Sequence, residues 1–335
     1  MPLSEKFIPI PYKFITSLTL STVIFSSSFT FKATAAQSDA PIQGQKIENN
    51  LKNKAVESNT SVNFVIQPKF DSPSKFTEGL APVYIRYRTG YINKNGQVVI
   101  PPQFTAVGHF SDGLAWVYIN GKSGYLNKEG KVVISPKYDI AEDFSNGLAR
   151  VKIDGKWGYI DKQGNTIIKP QFDDSLDFSE ELAAVKVNKK WGYINKEGKI
   201  IIKPIFDQVG KFSEGLAWLR KNSKLGFINK NGEIIIKPRF DDVGNFSEGL
   251  AMVWNGGGYG YINQKGKLVI KTDFDDAGHF SSGLAKVSIN RKWGFINRKG
   301  EIIIQPQFEN AYAFSEGLAA VKVGSKWGYI GVPKM

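Results

Sequence analysis

The chain holds two histidines, His109 and His279, and no cysteine. Thiolate ligands, disulfides and a cysteine nucleophile are therefore excluded. The histidines stand 170 residues apart, and one imidazole in each place does not make a metal site, which needs three or four converging ligands. Their position is held elsewhere by Asp143, Asp177, Lys211 and Asn245, so an exposed loop is expected for both. The paired acids Asp173-Asp174, Asp241-Asp242 and Asp275-Asp276 lack the alternating spacing of a calcium loop and read as turn caps. Asn255-Gly-Gly-Gly-Tyr259 is followed by no Lys-Ser/Thr pair, so it is not a phosphate loop. Each serine of the recurring Phe-Ser-Glu-Gly turns lacks a histidine to activate it. Catalysis needs one asymmetric constellation, and the sequence displays none, nor a metal or cofactor motif. An enzyme reading survives only as a carboxylate-dependent hydrolase, for which two acids would have to face one pocket.

Binding chemistry is better represented. One strand position reads Pro82, Trp116, Arg150, Ala184, Trp218, Met252, Lys286 and Ala320 through the chain. Two residues further on stand Tyr84, Tyr118, Lys152, Lys186, Arg220, Trp254, Ser288 and Lys322. Alternation along a strand places both series on one face. Aromatic and cationic side chains together stack on sugar rings or anchor acidic partners, so Trp116, Tyr118, Arg150, Lys152, Trp218, Arg220 and Trp254 are the candidate ligand-binding residues. The competing structural role is packing between repeated units, the usual fate of large aromatics. A second series, Lys94, Lys128, Lys162, Lys196, Lys230 and Arg298, falls at hairpin tips, with Glu78, Glu214, Glu248 and Glu316 placed to neutralise part of its field.

What must position these residues is a repeat. Gly90, Gly124, Gly158, Gly192, Gly226, Gly260, Gly294 and Gly328 recur every 34 residues without insertion or deletion. Leu80, Leu114, Leu148, Leu182, Leu216, Leu250, Leu284 and Leu318 keep the same phase. One unit parses into strands 182–187, 191–195 and 199–204, with tight turns between them, and a crossing segment 206–212 that can form a short fourth strand. Asn120-Gly121 and Asp154-Gly155 are signals for two-residue hairpins. Lys156-Trp157-Gly158, Lys190-Trp191-Gly192, Lys292-Trp293-Gly294 and Lys326-Trp327-Gly328, with Phe-Ser-Glu-Gly-Leu-Ala at 212–217 and 246–251, resemble the bacterial WG (KWG) repeat family over residues 64–330. The resemblance implies an interaction scaffold without assigned activity. Four units depart from it, with Thr89, Ser123, Leu225 and Tyr259 in the Trp position. Trp157, Gly158, Trp191, Gly192, Trp293, Gly294, Trp327 and Gly328 are expected in the repeat core, with each Gly marking a close strand approach or a bulge.

A lone 34-residue meander cannot bury its apolar face, so neighbours must stack. The repeat region opens with a lone third-type strand, 64–68, and closes with a second-type strand, 326–330, so each end supplies what the other lacks. The fold class expected is all-β, with eight units in a closed, propeller-like ring that hides its sheet edges. Two features favour an open curved β-solenoid instead: 34 residues is short for a four-stranded blade, and the polar alternation Val151/Lys152 and Val185/Lys186 suits a wet strand face.

Residues 1–35 read as a signal peptide: Lys6 and Lys13 precede an uncharged stretch, and Ala33-Thr34-Ala35 offers a cleavage site. A linker, 36–61, then leads to the repeat domain, 62–335, in which no stretch is apolar enough to span a membrane. The formal net charge of +13 favours anionic partners. The expected function is a non-enzymatic scaffold for protein–protein interaction, exported to the periplasm or outside. The alternative is an anionic glycan or cell-wall binder, and export disfavours nucleic acid.

Overall fold

A computed structural model describes residues 62–333 apart from 73 and 255, and the backbone but not the side chains of 272 and 273. They belong to one compact unit, Thr60–Met335. The expected signal segment and linker lie outside the described residues, as does Asn255.

Every described strand belongs to one of eight antiparallel sheets, seven of four strands and one of three. One blade shows the pattern. Ile140–Ala141 forms the first strand, followed by Ala149–Ile153, Lys156–Ile160 and Thr166–Phe172. Here the short-blade objection is answered: the first strand needs only two residues. The hairpin between the middle strands turns on two residues of positive φ, Asp154 (49°) and Gly155 (79°). Asn188 (48°) and Lys189 (67°) take the same conformation without glycine, Asn being among the few side chains that tolerate it.

Between the third and fourth strands the ladder slips. Trp157 pairs with Phe172, yet Tyr159 pairs with Ile168, so two residues on one strand face four on the other. The extra backbone arches over Gly158, where a Cβ would lie 2.5 Å from the Ile168 carbonyl oxygen. The equivalent distance at the other seven glycines runs from 2.3 to 2.7 Å, always to an isoleucine carbonyl. The periodic glycine is thus the socket of a bulge, and no other residue fits it.

The array closes into a ring. Phe64–Phe70 pairs with Lys326–Gly331, so the first strand of the domain is the fourth strand of its last blade. Ile66, Phe70, Phe76 and Val83 pack with Leu318, Trp327 and Tyr329 in one buried cluster across the seam. Elsewhere too the cores lie between blades: Trp157, Tyr159 and Phe172 of one meet Phe178, Val185 and Ile194 of the next. The open solenoid is thereby overturned. The polar alternation that suggested it has another cause: the stems of Lys152 and Lys186 lie along Trp157 and Trp191, with Nζ 5.7 and 5.8 Å from the ring centres.

Polar bonds repeat from blade to blade. Tyr159 Oη donates to the Leu176 carbonyl at 2.8 Å while its ring meets Phe178 at 4.8 Å between centres. Ser145, Ser179, Ser213, Ser247 and Ser315 each donate to the carbonyl of the next blade's phenylalanine, Ser315 reaching Phe76 across the seam. Glu78, Glu180, Glu214, Glu248 and Glu316 accept from the next blade's glycine N–H. The hairpin lysines close the latch, Lys128 on Glu78, Lys230 on Glu180 and Lys94 on Glu316, each at 3.0 Å.

Trp157 and Trp327 are buried, whereas Trp191 and Trp293 are half-buried and line the rim of their clusters. Leu225 and Ser123 are buried in the Trp position of two departing units. Trp157→Ala is therefore expected to destabilise by about 3–5 kcal/mol and Trp191→Ala by less, measured as denaturant midpoints. Gly192→Ala forces a Cβ to within 2.4 Å of the Ile202 carbonyl and should cost about 1–3 kcal/mol, whereas Gly257→Ala, in open space, should stay within about 0.5 kcal/mol of the parent.

Candidate functional site

The residues just before each invariant phenylalanine of the inner turns converge. Lys75, His109, Asp143, Asp177 and Lys211, from five blades, line one cavity of about 440 Å³ with Ser315 and Glu316 of the last blade. A single cavity touched by six blades is the mouth of the ring's central channel, and it places the two-residue strands innermost. Asn245, His279 and Ala313 hold the same repeat position in the other blades. Blade-specific chemistry therefore gathers where the repeat converges.

The candidate stripe lies beside this mouth, and most of its members follow a size rule, Arg150 opposite Glu142 being an exception. Trp116 stands opposite Gly108, where a Cβ would come within 2.3 Å of the indole. Gly210 makes the same room for Trp218, Gly244 for Met252 and Gly278 for Lys286. Where the stripe residue is small, the partner is large: the Leu176 N–H bonds the Ala184 carbonyl, and the Tyr312 N–H that of Ala320. Trp116 and Trp218 are half-buried and pack against the blade cores. They fill volume on the inner wall. Tyr118 is exposed, beside a smaller groove of about 250 Å³ lined by Arg88, Gln103 and Thr105. Trp254 meets Tyr259 edge-on at 5.1 Å, and Arg220 Nε donates to Gln208 at 2.7 Å. Lys152 covers Trp157 as described, so the seven candidates form no single patch.

Arg150 is the most engaged of them. Its guanidinium stacks on Trp157 at 4.7 Å, donates from Nε to Asp177 at 2.8 Å and reaches Glu142 at 3.4 Å. Lys211 from the next blade also binds Asp177. Burial alone would raise the Asp177 pKa, but Lys211 and Arg150 outweigh it and hold the carboxyl below its ordinary value. Glu142 goes the other way: burial raises it by more than Arg150 lowers it. Across the channel Lys286 is depressed by burial. Two acids, Asp143 and Asp177, do face one pocket, the condition set for a carboxylate-dependent hydrolase. Asp177 is neutralised by its two cations, and Asp143 is bound to a histidine.

That histidine corrects the sequence reading. His109 Nε2 lies 2.7 Å from Ser74 Oγ, and its Nδ1 lies 3.4 Å from Asp143 Oδ2. One serine does have an imidazole beside it, and His109 is half-buried rather than exposed. Ser74 lies outside the Phe-Ser-Glu-Gly turn, in a position that is Gly108, Glu142, Leu176, Gly210, Gly244, Gly278 or Tyr312 elsewhere. The signal that could have found it was the double departure from the repeat at 74 and 109.

Arg150→Met should lower the unfolding midpoint by an amount corresponding to about 2 kcal/mol, less than the ~3–5 kcal/mol of a fully buried pair, because Asp177 keeps some solvent contact. Since Asp177 is held below the ordinary aspartate value of 3.8, its stabilisation is present above that pH and is lost as pH falls through the lower folded value. The gap between parent and variant should therefore narrow below about pH 4.

Comparison with solved structures gives the ring known counterparts. A crystal structure of a eukaryotic initiation factor aligns with a TM-score of 0.52 at 10% identity, over 81% of this chain and 85% of that one. The WD40 domain of SCAP from fission yeast aligns at 0.43 with 10% identity, over 81% and 97%. Dihydro-heme d1 dehydrogenase NirN aligns at 0.46 with 12% identity, over 69% and 64%. Such identities speak to the propeller fold alone, and the first alignment carries it. No curated protein matches the sequence. The WG containing repeat matches residues 58–87, 90–122, 124–157, 157–191, 191–224, 226–258, 259–293 and 293–327. These eight matches keep the period of the ring while straddling adjacent blades, 124–157 running from the third strand of one through the second of the next, and the chain belongs to the WG-repeat family.

Proposed function

We propose that this β-propeller is an interaction scaffold, exported to the cell envelope, that recognises a protein partner at its channel mouth. One observation carries the reading. The repeated polar residues are consumed in blade-to-blade bonds, whereas the residues that differ between blades collect at the mouth. A rigid frame with an individualised rim is how loops on a scaffold acquire specificity. Export is supported by the charge, apolar stretch and Ala33-Thr34-Ala35 site of the first 35 residues.

A glycan reading retains one specific support, and it has moved. Trp116 and Trp218 are engaged in packing, but exposed Tyr118 and nearby Arg88 flank the small groove. An aromatic face beside a guanidinium suits an acidic sugar.

The test is retention of the full chain on the host's envelope fraction, with and without protease treatment of that fraction. The proposal expects protease to abolish retention and the pair Asn245→Arg and His279→Glu to weaken it about tenfold, equivalent to 1.4 kcal/mol. Retention that survives protease and falls with Tyr118→Ala would transfer the function to glycan binding. Retention indifferent to the rim variants would exclude the channel mouth. For export, the mature protein should begin at Ala36, with Gln37 as the alternative start, read by intact mass.

A further inference from the structure

We infer that Ser74 is a nucleophile, activated by His109 with Asp143 behind it, that accepts small acyl groups from carboxylic esters at the channel mouth.

Three consecutive blades contribute one side chain each. Ser74 Oγ and His109 Nε2 are 2.7 Å apart, His109 Nδ1 and Asp143 Oδ2 are 3.4 Å apart, and Asp143 Oδ1 accepts the His109 backbone N–H at 3.0 Å. With Nδ1 carrying its proton toward Asp143, Nε2 is the acceptor for the serine hydroxyl proton. This is the nucleophile–base–orienter order that covalent catalysis requires. The imidazole–carboxylate contact is at the long end, as such contacts are before substrate tightens them.

The surroundings suit the role. The backbone of Ser74 is clamped by Tyr329 of the last blade, whose hydroxyl donates to the Ser74 carbonyl at 2.8 Å and accepts its N–H at 3.3 Å. A held backbone keeps the hydroxyl in place without cost during reaction. His109, Asp143 and Lys75 line the 440 Å³ cavity, and Ser74, which adjoins Lys75, is itself only half-buried, so a small ester can approach the hydroxyl from the channel side. Lys75 adjoins Ser74 and has no acidic partner among the described residues, which leaves its ammonium available to a developing oxyanion.

The protein carries its own control. His279 occupies the position of His109 five blades on, but the positions matching Ser74 and Asp143 are Gly244 and Ala313. The constellation occurs once in eight blades, as catalysis demands and as repeat packing does not. The repeated serines differ again, their hydroxyls being spent on phenylalanine carbonyls.

In the step proposed, Ser74 Oγ bonds to the ester carbonyl carbon as its proton moves to His109 Nε2. The carbon–oxygen bond to the alcohol then breaks, and the imidazolium returns the proton to the leaving alkoxide. Water attacks the acyl-serine, giving a proton to His109, and Ser74 takes that proton back as the carboxylic acid departs. This activity is independent of the partner-binding reading, and loss of envelope retention would leave it standing.

The experiment treats the full chain with a fluorophosphonate, in which a Ser74 Oγ–phosphorus bond replaces phosphorus–fluoride, and measures p-nitrophenyl acetate turnover in parallel. One label per chain is expected, on the peptide containing Ser74. Ser74→Ala should abolish labelling, and His109→Gln should slow labelling and turnover about 100-fold or more. Asp143 acts as a positioning residue, so Asp143→Asn should lower the maximal labelling rate while leaving the half-saturating reagent concentration unchanged. Ser247→Ala, which removes one of the repeated serines, should change neither. Circular dichroism and thermal midpoints matching the parent ensure that a folded ring is tested. No label on Ser74 in the folded parent, or equal labelling in Ser74→Ala, would overturn the assignment.

Discussion

Six of the eight inner turns carry a carboxylate, Glu78, Asp112, Glu180, Glu214, Glu248 or Glu316, that reaches forward to the backbone of the next blade, and the ring depends on that contact. Glu78, Glu214, Glu248 and Glu316 sit at φ values of 51° to 55°, a conformation that costs a non-glycine residue roughly 1 kcal/mol. The turn tolerates the strain because the same glutamate accepts a glycine N–H one blade on and, in the cases described, a lysine as well. Strain within a blade is thus offset by bonding between blades. The arrangement also fixes the direction of stacking, since carboxylate and N–H point opposite ways around the circle. The apolar clusters follow the same direction, the Trp-position residue of one blade lying against the short turn of the next.

This explains why the rim is permissive. The groups that hold neighbouring blades together are backbone carbonyls, glycine N–H groups and repeated side chains, so residues such as Lys75, Asn245 or Ala313 can change without touching the latch. Where the rim does acquire structure, it does so by local exchange. Arg150, Asp177 and Lys211 form a charged chain over three blades, and Trp116 or Trp218 take up volume that a glycine opposite leaves free. Diversity at the channel is an outcome of a blade-to-blade latch that makes no use of those side chains.

Much of this was legible in the sequence. The fixed 34-residue spacing of Gly158 and its equivalents named the unit, the hairpin signals placed its turns, and the complementary ends pointed to closure. What the sequence concealed was contact across blades. The pairing of Gly108 with Trp116 spans a hairpin whose first strand is only two residues long, too short for any periodicity to register. Trp191 and Trp157 share one motif, yet of the two only Trp157 is buried, and Arg150 caps its ring where Ala184 stands beside Trp191. Ser74 and His109 are 35 residues apart in a 34-residue repeat, one step out of phase, so aligning the units never sets them side by side.

The strand shared across the seam has a kinetic meaning. Phe64 meets Ile330, so the bond that closes the circle joins nearly the full span of the domain. The entropy of closing a loop that long is about 5 kcal/mol, a toll that no neighbouring-blade contact carries. Blades can accrete one on another as the chain lengthens, but the circle stays open until the last strand arrives. Closing the circle is therefore the one contact in the domain that has to wait for both extremes of the chain.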